Sequence, residues 1–227
     1  MGSLVLLHGL GATGRVWDGW AQPWLAPDLP GHGRTGALER YTYESMTAGV
    51  AEALPVRRGL VVVGHSLGGV LALELASGRY GVQVDRVIAL GVKVSWTDDE
   101  LAKAAALARK PVAWFESRDE AAVRYLKVSG LQGLVDPADA SVDQGLLKVD
   151  GRWRLAMDPA AFGVGAPKMP ELIAAAQADV VLARGELDPM NTDTELAALH
   201  DHTVTLPGLG HSAHVQNAAA IQRYAKA

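Results

Sequence analysis

Residues 64–68 read Gly64-His65-Ser66-Leu67-Gly68, with the serine where the apolar run Leu60 to Val63 has stopped and the helix-compatible run Leu67 to Leu75 begins. A serine on such a strand-to-helix turn takes a strained backbone angle, and the flanking glycines leave room for chain that passes close by. The dipole of the following helix stabilises negative charge beside the hydroxyl. The arrangement suits nucleophilic attack; the plainer explanation is a serine that caps a helix. A serine hydroxyl attacks only when a base takes its proton, and the base needs an acid to orient it.

Histidines stand at 8, 32, 65, 200, 202, 211 and 214. His65 adjoins the serine and is expected to point the other way on the turn, while His200 and His202 belong to a helix end and a strand. His211 closes the loop Pro207-Gly208-Leu209-Gly210-His211 after the last strand-like run. Strand carboxyl ends are the ligand-binding edge of an open α/β sheet. His214 is the rival, but it starts the last helix, where a mobile base is less natural; His211 is favoured. For the acid, Asp188 follows another strand end in Arg184-Gly185-Glu186-Leu187-Asp188-Pro189, where Pro189 fixes the turn. Glu186 lies nearer the strand, and Asp98 and Asp99 are the outside candidates.

Other chemistries find little support. The chain has no cysteine, which removes disulfides, thiolate nucleophiles and cysteine-based zinc sites. No histidine pair shows ligand spacing backed by a carboxylate except His211 and His214, which could share one face; the catalytic reading accounts for His211 better, so no metal is expected. Gly9-Leu10-Gly11-Ala12-Thr13-Gly14 fits a dinucleotide-binding loop. No acidic residue ends a second strand about twenty residues on unless Asp28 is pressed into service, so no cofactor is expected.

The elements that must position these residues can be read from periodicity. Ser3 to Leu7, Leu60 to Val63, Val84 to Leu90 and Val180 to Ala183 are short continuous apolar runs that stop at or near glycine. Such runs predict strands buried on both faces, as in a parallel sheet. His202 to Leu206 is a weaker strand. Helical patterns run from Tyr43 to Leu54, Leu67 to Tyr80, Thr192 to His200 and Ala213 to Ala225. Alternating strands and helices predict βα units with helices on both faces of the sheet. Between Ser95 and Ala178 the alternation breaks, leaving helical patterns at Asp98 to Arg109 and Arg118 to Val128 and a hairpin signal at Val149 to Trp153. Trp17, Trp20 and Trp24 have helical spacing and are read as core.

Five motifs then come in order: His8-Gly9-Leu10-Gly11, Asp28-Leu29-Pro30-Gly31-His32-Gly33, Gly64-His65-Ser66-Leu67-Gly68-Gly69, Gly185-Glu186-Leu187-Asp188-Pro189 and Gly208-Leu209-Gly210-His211. In these the chain resembles the α/β-hydrolase family over nearly its whole length. The resemblance implies a mostly parallel sheet with helices on both faces and an inserted, mainly helical lid. It divides the chain into a core of residues 1–94 and 179–227 and a lid of residues 95–178. The order Ser66, Asp188, His211 is that of the family's nucleophile, acid and base. The resemblance also implies the backbone amides of Leu10 and Leu67 as an oxyanion hole, His8 as a loop brace, and Asp28 to Gly33 as part of the active-site rim. The chain departs from the family by starting at the first parallel strand without a preceding antiparallel hairpin, and by carrying Ala218 where relatives often have proline.

Composition bounds the function. Of 227 residues, 49% are hydrophobic and 20% charged, which excludes a disordered chain. The formal net charge of −4 gives no footprint for nucleic acid or an anionic membrane. No run nears the roughly 18 apolar residues of a membrane-spanning helix. The first residues lack a basic signal-peptide region, so a cytoplasmic protein is expected; its oligomeric state is not legible. The expected activity is a serine hydrolase that cleaves small-molecule carboxylic esters of small to medium apolar acyl groups through an acyl-enzyme. Trp96, Trp114, Phe162 and Met169 are candidate pocket walls. One alternative is a lyase or synthase that uses the triad as a base, since the compact start and Gly210-His211-Ser212-Ala213-His214 look like the menaquinone-pathway synthase of this fold. That family places an arginine for its polyanionic substrate where this chain has Val70. The other alternative is a non-catalytic receptor on the same scaffold.

Overall fold

The protein is described here by a computed structural model that covers residues 3–21 and 23–225. Its centre is a five-stranded sheet built from β1 (Ser3–Leu7), β2 (Leu60–His65), β3 (Val84–Leu90), β6 (Asp179–Gly185) and β7 (Thr203–Leu206), in that spatial order. Every neighbouring pair is parallel, so all five strands end on the same edge. Side chains alternate across the sheet, and both faces are apolar. Val5, Val62, Val87 and Leu182 pack into one core with α1 (Tyr43–Ala53) and α2 (Leu67–Leu75). Leu6, Val63, Ile88 and Val181 pack into a second core with Trp17, Trp20 and Ile221. This is the two-faced burial that continuous apolar strands demand.

The sheet is as the apolar runs predict; several other elements are not. The helix read from Leu67 ends at Leu75 instead of Tyr80, and the one from Thr192 is the short α6 (Asp193–Ala197). The last helix is broken at Asn217 into α7 (Ala213–Gln216) and α8 (Ala218–Gln222). Asn217 has φ −154° and ψ 86°, and its side chain caps the second piece by accepting the Ala220 N–H. The tryptophans at helical spacing do not share an α-helix: Gly14–Trp17 is a single 3-10 turn. Trp17 and Trp20 are nevertheless core residues, 0% and 3% exposed, with rings edge to face at 5.0 Å.

Residues 95–178 contain α3 (Asp98–Ala108), α4 (Arg118–Val128), the antiparallel pair β4 (Leu146–Val149) and β5 (Arg152–Leu155), and α5 (Met169–Ala175). The hairpin turns on Asp150 and Gly151, both at positive φ, as the Asp-Gly signal predicts. Tyr125, Leu126, Val142 and Leu146 form a small core within this segment. Backbone bonds tie it to the loop after β1: Gly33 N–H donates to Ala156 O at 2.6 Å and Asp158 N–H to Gly31 O at 2.8 Å. Asp28 fastens the same region. Its carboxylate accepts from the Gly14 and Arg34 amides at 2.8 and 3.0 Å and from Gln144 Nε2 at 2.8 Å. No helix among the described residues is long and apolar enough to cross a membrane.

Asp28→Ala strands these donors, and leaving such groups unsatisfied costs about 1–3 kcal/mol. Urea denaturation followed by tryptophan fluorescence is expected to show a loss of about 2 kcal/mol with the m-value unchanged.

Candidate active site

Ser66 stands alone between β2 and α2, at φ 51° and ψ −115°. The turn is held from both sides: its N–H donates to Leu90 O at the end of β3 at 2.8 Å, and its carbonyl accepts from Gly69 N–H at 2.9 Å. A Cβ on Gly64 would run into the Gly68 carbonyl, and one on Gly68 into the carbonyls of Leu7 and His8. The glycines are therefore required by close approach, as their spacing predicts. Ser66 lines a cavity of about 150 Å³ together with Leu10, Leu67, Val70, Trp96, Ala104 and Phe162. Leu67 opens α2, so its amide belongs to the first turn, which has no intrahelical partner.

The turn after β6 places Asp188 and the loop after β7 places His211. The Asp188 side chain is fully buried and that of His211 is 22% exposed. His211 Nδ1 donates to both carboxylate oxygens, at 3.0 and 3.1 Å. The aspartate is held from several sides. Arg184 donates to the carbonyls of Glu186 and Asp188 at 3.0 Å each and pairs with Asp193 at 2.7 Å, while the Met190 amide donates to Asp188 Oδ1 at 3.0 Å. Gly91 connects the pair to the serine, since it follows the residue that accepts the Ser66 amide. It has φ 63°, and a Cβ there would lie 3.2 Å from both Asp188 Oδ2 and His211 Nδ1.

The remaining histidines serve the scaffold. His65 Nε2 donates to the backbone carbonyl of His211 at 3.0 Å. Its ring lies 4.6 Å from that of His211 and 4.2 Å from that of His214. Burial, reinforced by His214 and His211, holds His65 well below the ordinary imidazole range. His214 is 2% exposed and packs on Trp17. Burial, then His211, pushes it down to about 3, which is too weak a base to take a proton near neutrality. His8 accepts the Leu29 N–H at Nε2, 2.9 Å away, and donates from Nδ1 to Gly9 O at 2.8 Å. Burial first, then His32, lowers it to about 3.

The other carboxylates named from the sequence lie elsewhere. Asp98 and Asp99 lie in the first turn of α3, where Asp99 pairs with Lys103. Glu186 accepts the Gly208 amide at 2.7 Å. Of the candidate pocket walls, Trp96 and Phe162 line the cavity; the other two are corrections. Met169 is 1% exposed and packs into the core on the α2 face of the sheet. Trp114 is 40% exposed, with the Arg152 guanidinium 5.1 Å over its ring. The reason is local: Phe115 pairs through its backbone with Trp153 and turns inward to the small core, so its extended neighbour faces out. The sequence reading missed the bracing by His65 and the approach at Gly91. A glycine directly after the Val84 to Leu90 run is the one signal that pointed to the second. Among the described residues no group of three or more His, Asp or Glu is placed to hold a metal ion.

The profile of the alpha/beta hydrolase family matches residues 4–223. Lipase LipV of Mycobacterium tuberculosis is 31% identical over 167 residues, 68% of this chain and 62% of LipV. The 2-succinyl-6-hydroxy-2,4-cyclohexadiene-1-carboxylate synthase of Yersinia enterocolitica is 34% identical over 108 residues, 44% of this chain and 39% of that enzyme. The matches thus span less than two thirds of either relative. The thioesterase domain from the curacin biosynthetic pathway superposes with a TM-score of 0.76, covering 99% of this chain and 90% of that one at 22% identity, a likeness of fold.

The buried histidines make stability pH-dependent. His8 and His214 lie at about 3 in the folded chain against an ordinary value of 6.5. Between those values the unfolded chain binds more protons, so stability rises with pH there. It is fully present above 6.5 and lost as the pH falls toward 3. Chemical denaturation between pH 7 and 4 is expected to show this loss, with a shallower slope in His214→Gln than in the wild type.

Proposed function

The chain belongs to the alpha/beta hydrolase family, and from that premise we propose a serine hydrolase that cleaves small-molecule carboxylic esters through an acyl-enzyme on Ser66. The observation that carries the reading is the bonded pair Asp188–His211, joined through Gly91 and Leu90 to a strained serine that opens on an apolar cavity. His211 Nε2 takes the proton as Ser66 Oγ attacks the ester carbonyl. Asp188 fixes the tautomer through Nδ1 and stabilises the imidazolium. The amides of Leu10 and Leu67 receive the oxyanion, a service that typically supplies about 3–4 kcal/mol per donor. The protonated base then passes its proton to the leaving alkoxide, and water, activated by the same imidazole, releases the acid.

Residues 95–178 act in this reading as a lid. Trp96, Ala104, Phe162 and Val164 from the segment line the serine's cavity, and a wall there excludes water from the developing charge. A cavity of about 150 Å³ is the size that takes a benzene ring, which favours small to medium apolar acyl groups. LipV supports ester chemistry. The synthase relative keeps the lyase alternative in play, but Val70 is apolar and Lys93, the charge beside this cavity, is paired with Glu100 at 2.9 Å. Directly beside Ser66, therefore, an anion finds no unpaired cation among the residues that line the cavity.

A series of p-nitrophenyl esters of rising acyl length tests the proposal. Ser66→Ala and His211→Ala are each expected to lose several orders of magnitude in kcat and to be non-additive. Asp188→Asn should lose about 10³–10⁴-fold, and His214→Ala far less. Near-wild-type turnover by Ser66→Ala, or failure of a fluorophosphonate to label Ser66, would overturn the mechanism.

In the same assay Phe162→Ala is expected to move the preferred acyl length upward, and Trp114→Ala to leave it unchanged.

A further inference from the structure

A second cavity, of about 100 Å³, lies on the other side of Phe162 from the serine's cavity, and Phe162 lines both. On α3, Ala104 faces the inner cavity and Leu107, three residues on, faces the outer one. Residues at that spacing are neighbours on one face of a helix, so the two spaces lie side by side along α3. The walls of the outer cavity are mostly apolar, with Leu107, Val128 and Met157 among them. The exceptions are two cations, Lys110 and Arg124. No carboxylate lines this cavity, and among the described residues neither cation has an acidic partner. Elsewhere in the segment Lys103, Arg118 and Lys168 do, with Asp99, Asp143 and Glu171. An apolar trough edged by two unpaired cations fits a chain with an apolar spacer and an anionic end. A guanidinium also offers paired donors that match carboxylate or phosphate oxygens.

We propose that the two cavities form one substrate channel divided by Phe162, and that Lys110 and Arg124 select esters whose far end carries a carboxylate or a phosphate. The inference rests on the ester-hydrolase reading for the location of the bond cleaved. It goes beyond that reading by naming the substrate class as anionic. The reacting ester sits at Ser66, the spacer passes Phe162, and the anion stays at the partly hydrated outer rim, where two charges hold it without complete desolvation.

Binding and turnover separate the two readings. Calorimetric titration of Ser66→Ala protein would compare monomethyl suberate, its neutral dimethyl ester, and a methyl ester of the same length ending in phosphate. The anionic probes are expected to bind about tenfold more tightly than the neutral one, and the stronger of the two identifies the end group. Adding K110Q and R124Q should abolish the difference. In otherwise wild-type protein those two substitutions should lower kcat/KM for the anionic esters about tenfold and leave p-nitrophenyl butyrate unaffected. Equal binding of charged and neutral probes, or a preference that survives K110Q/R124Q, would overturn the proposal. If the preference holds but wild-type protein turns over no ester, the anion subsite stands and the hydrolase reading fails.

Discussion

The backbone of Ser66 is held at φ 51°, a conformation that costs a non-glycine residue about 1–3 kcal/mol and survives only where its surroundings leave no alternative. Those surroundings are the parallel sheet. β2 must end where it does because its neighbour β3 accepts the Ser66 amide at Leu90. The helix must begin at once because the carbonyls of Leu7 and His8 pass over Gly68, leaving room for nothing larger. The strain and the exposure of the hydroxyl share one cause, a helix packed so closely on a sheet that the connecting residue is forced outward.

The bracing extends sideways through uncharged rings. His65 donates to the His211 backbone, and its own ring packs on His211 and His214. Protonating His65 or His214 would place charge in a buried layer beside Trp17 and His211, so burial keeps both neutral. Of the three rings, His211 has the carboxylate partner and is partly open to solvent. The proposed base requires that combination. A neutral ring packed against His211 positions it without adding charge to the layer.

Residues 95–178 solve a different problem. They carry a small core of their own and are fastened to the loop after β1 through Asp28, Gly31 and Gly33. Phe162 and Val164, which line the cavity, pack against the main core instead, so this wall is tied to the sheet. The proposed nucleophile, acid and base stand on strand ends, while Trp96 and Phe162 reach in from the segment.

The sequence by itself determined the strands and the loops at their ends, because continuous apolar runs stopped by glycine have few other outcomes. It also named Ser66, Asp188 and His211 as candidates, since their types and strand-end positions follow from local chain. It could not determine the walls of the cavity. Trp96, Trp114, Phe162 and Met169 look alike as isolated apolar residues. Whether each meets the cavity, the core or solvent depends on backbone pairings such as Phe115 with Trp153 and on packing between distant segments. The break of the last helix at Asn217 goes with a local feature, a non-helical backbone whose side chain caps the second piece at Ala220. Only the folded structure gives His211 and His214 their different surroundings. The two lie three residues apart in the chain, but burial leaves one a weak base and a buried aspartate, twenty-three residues earlier, orients the other.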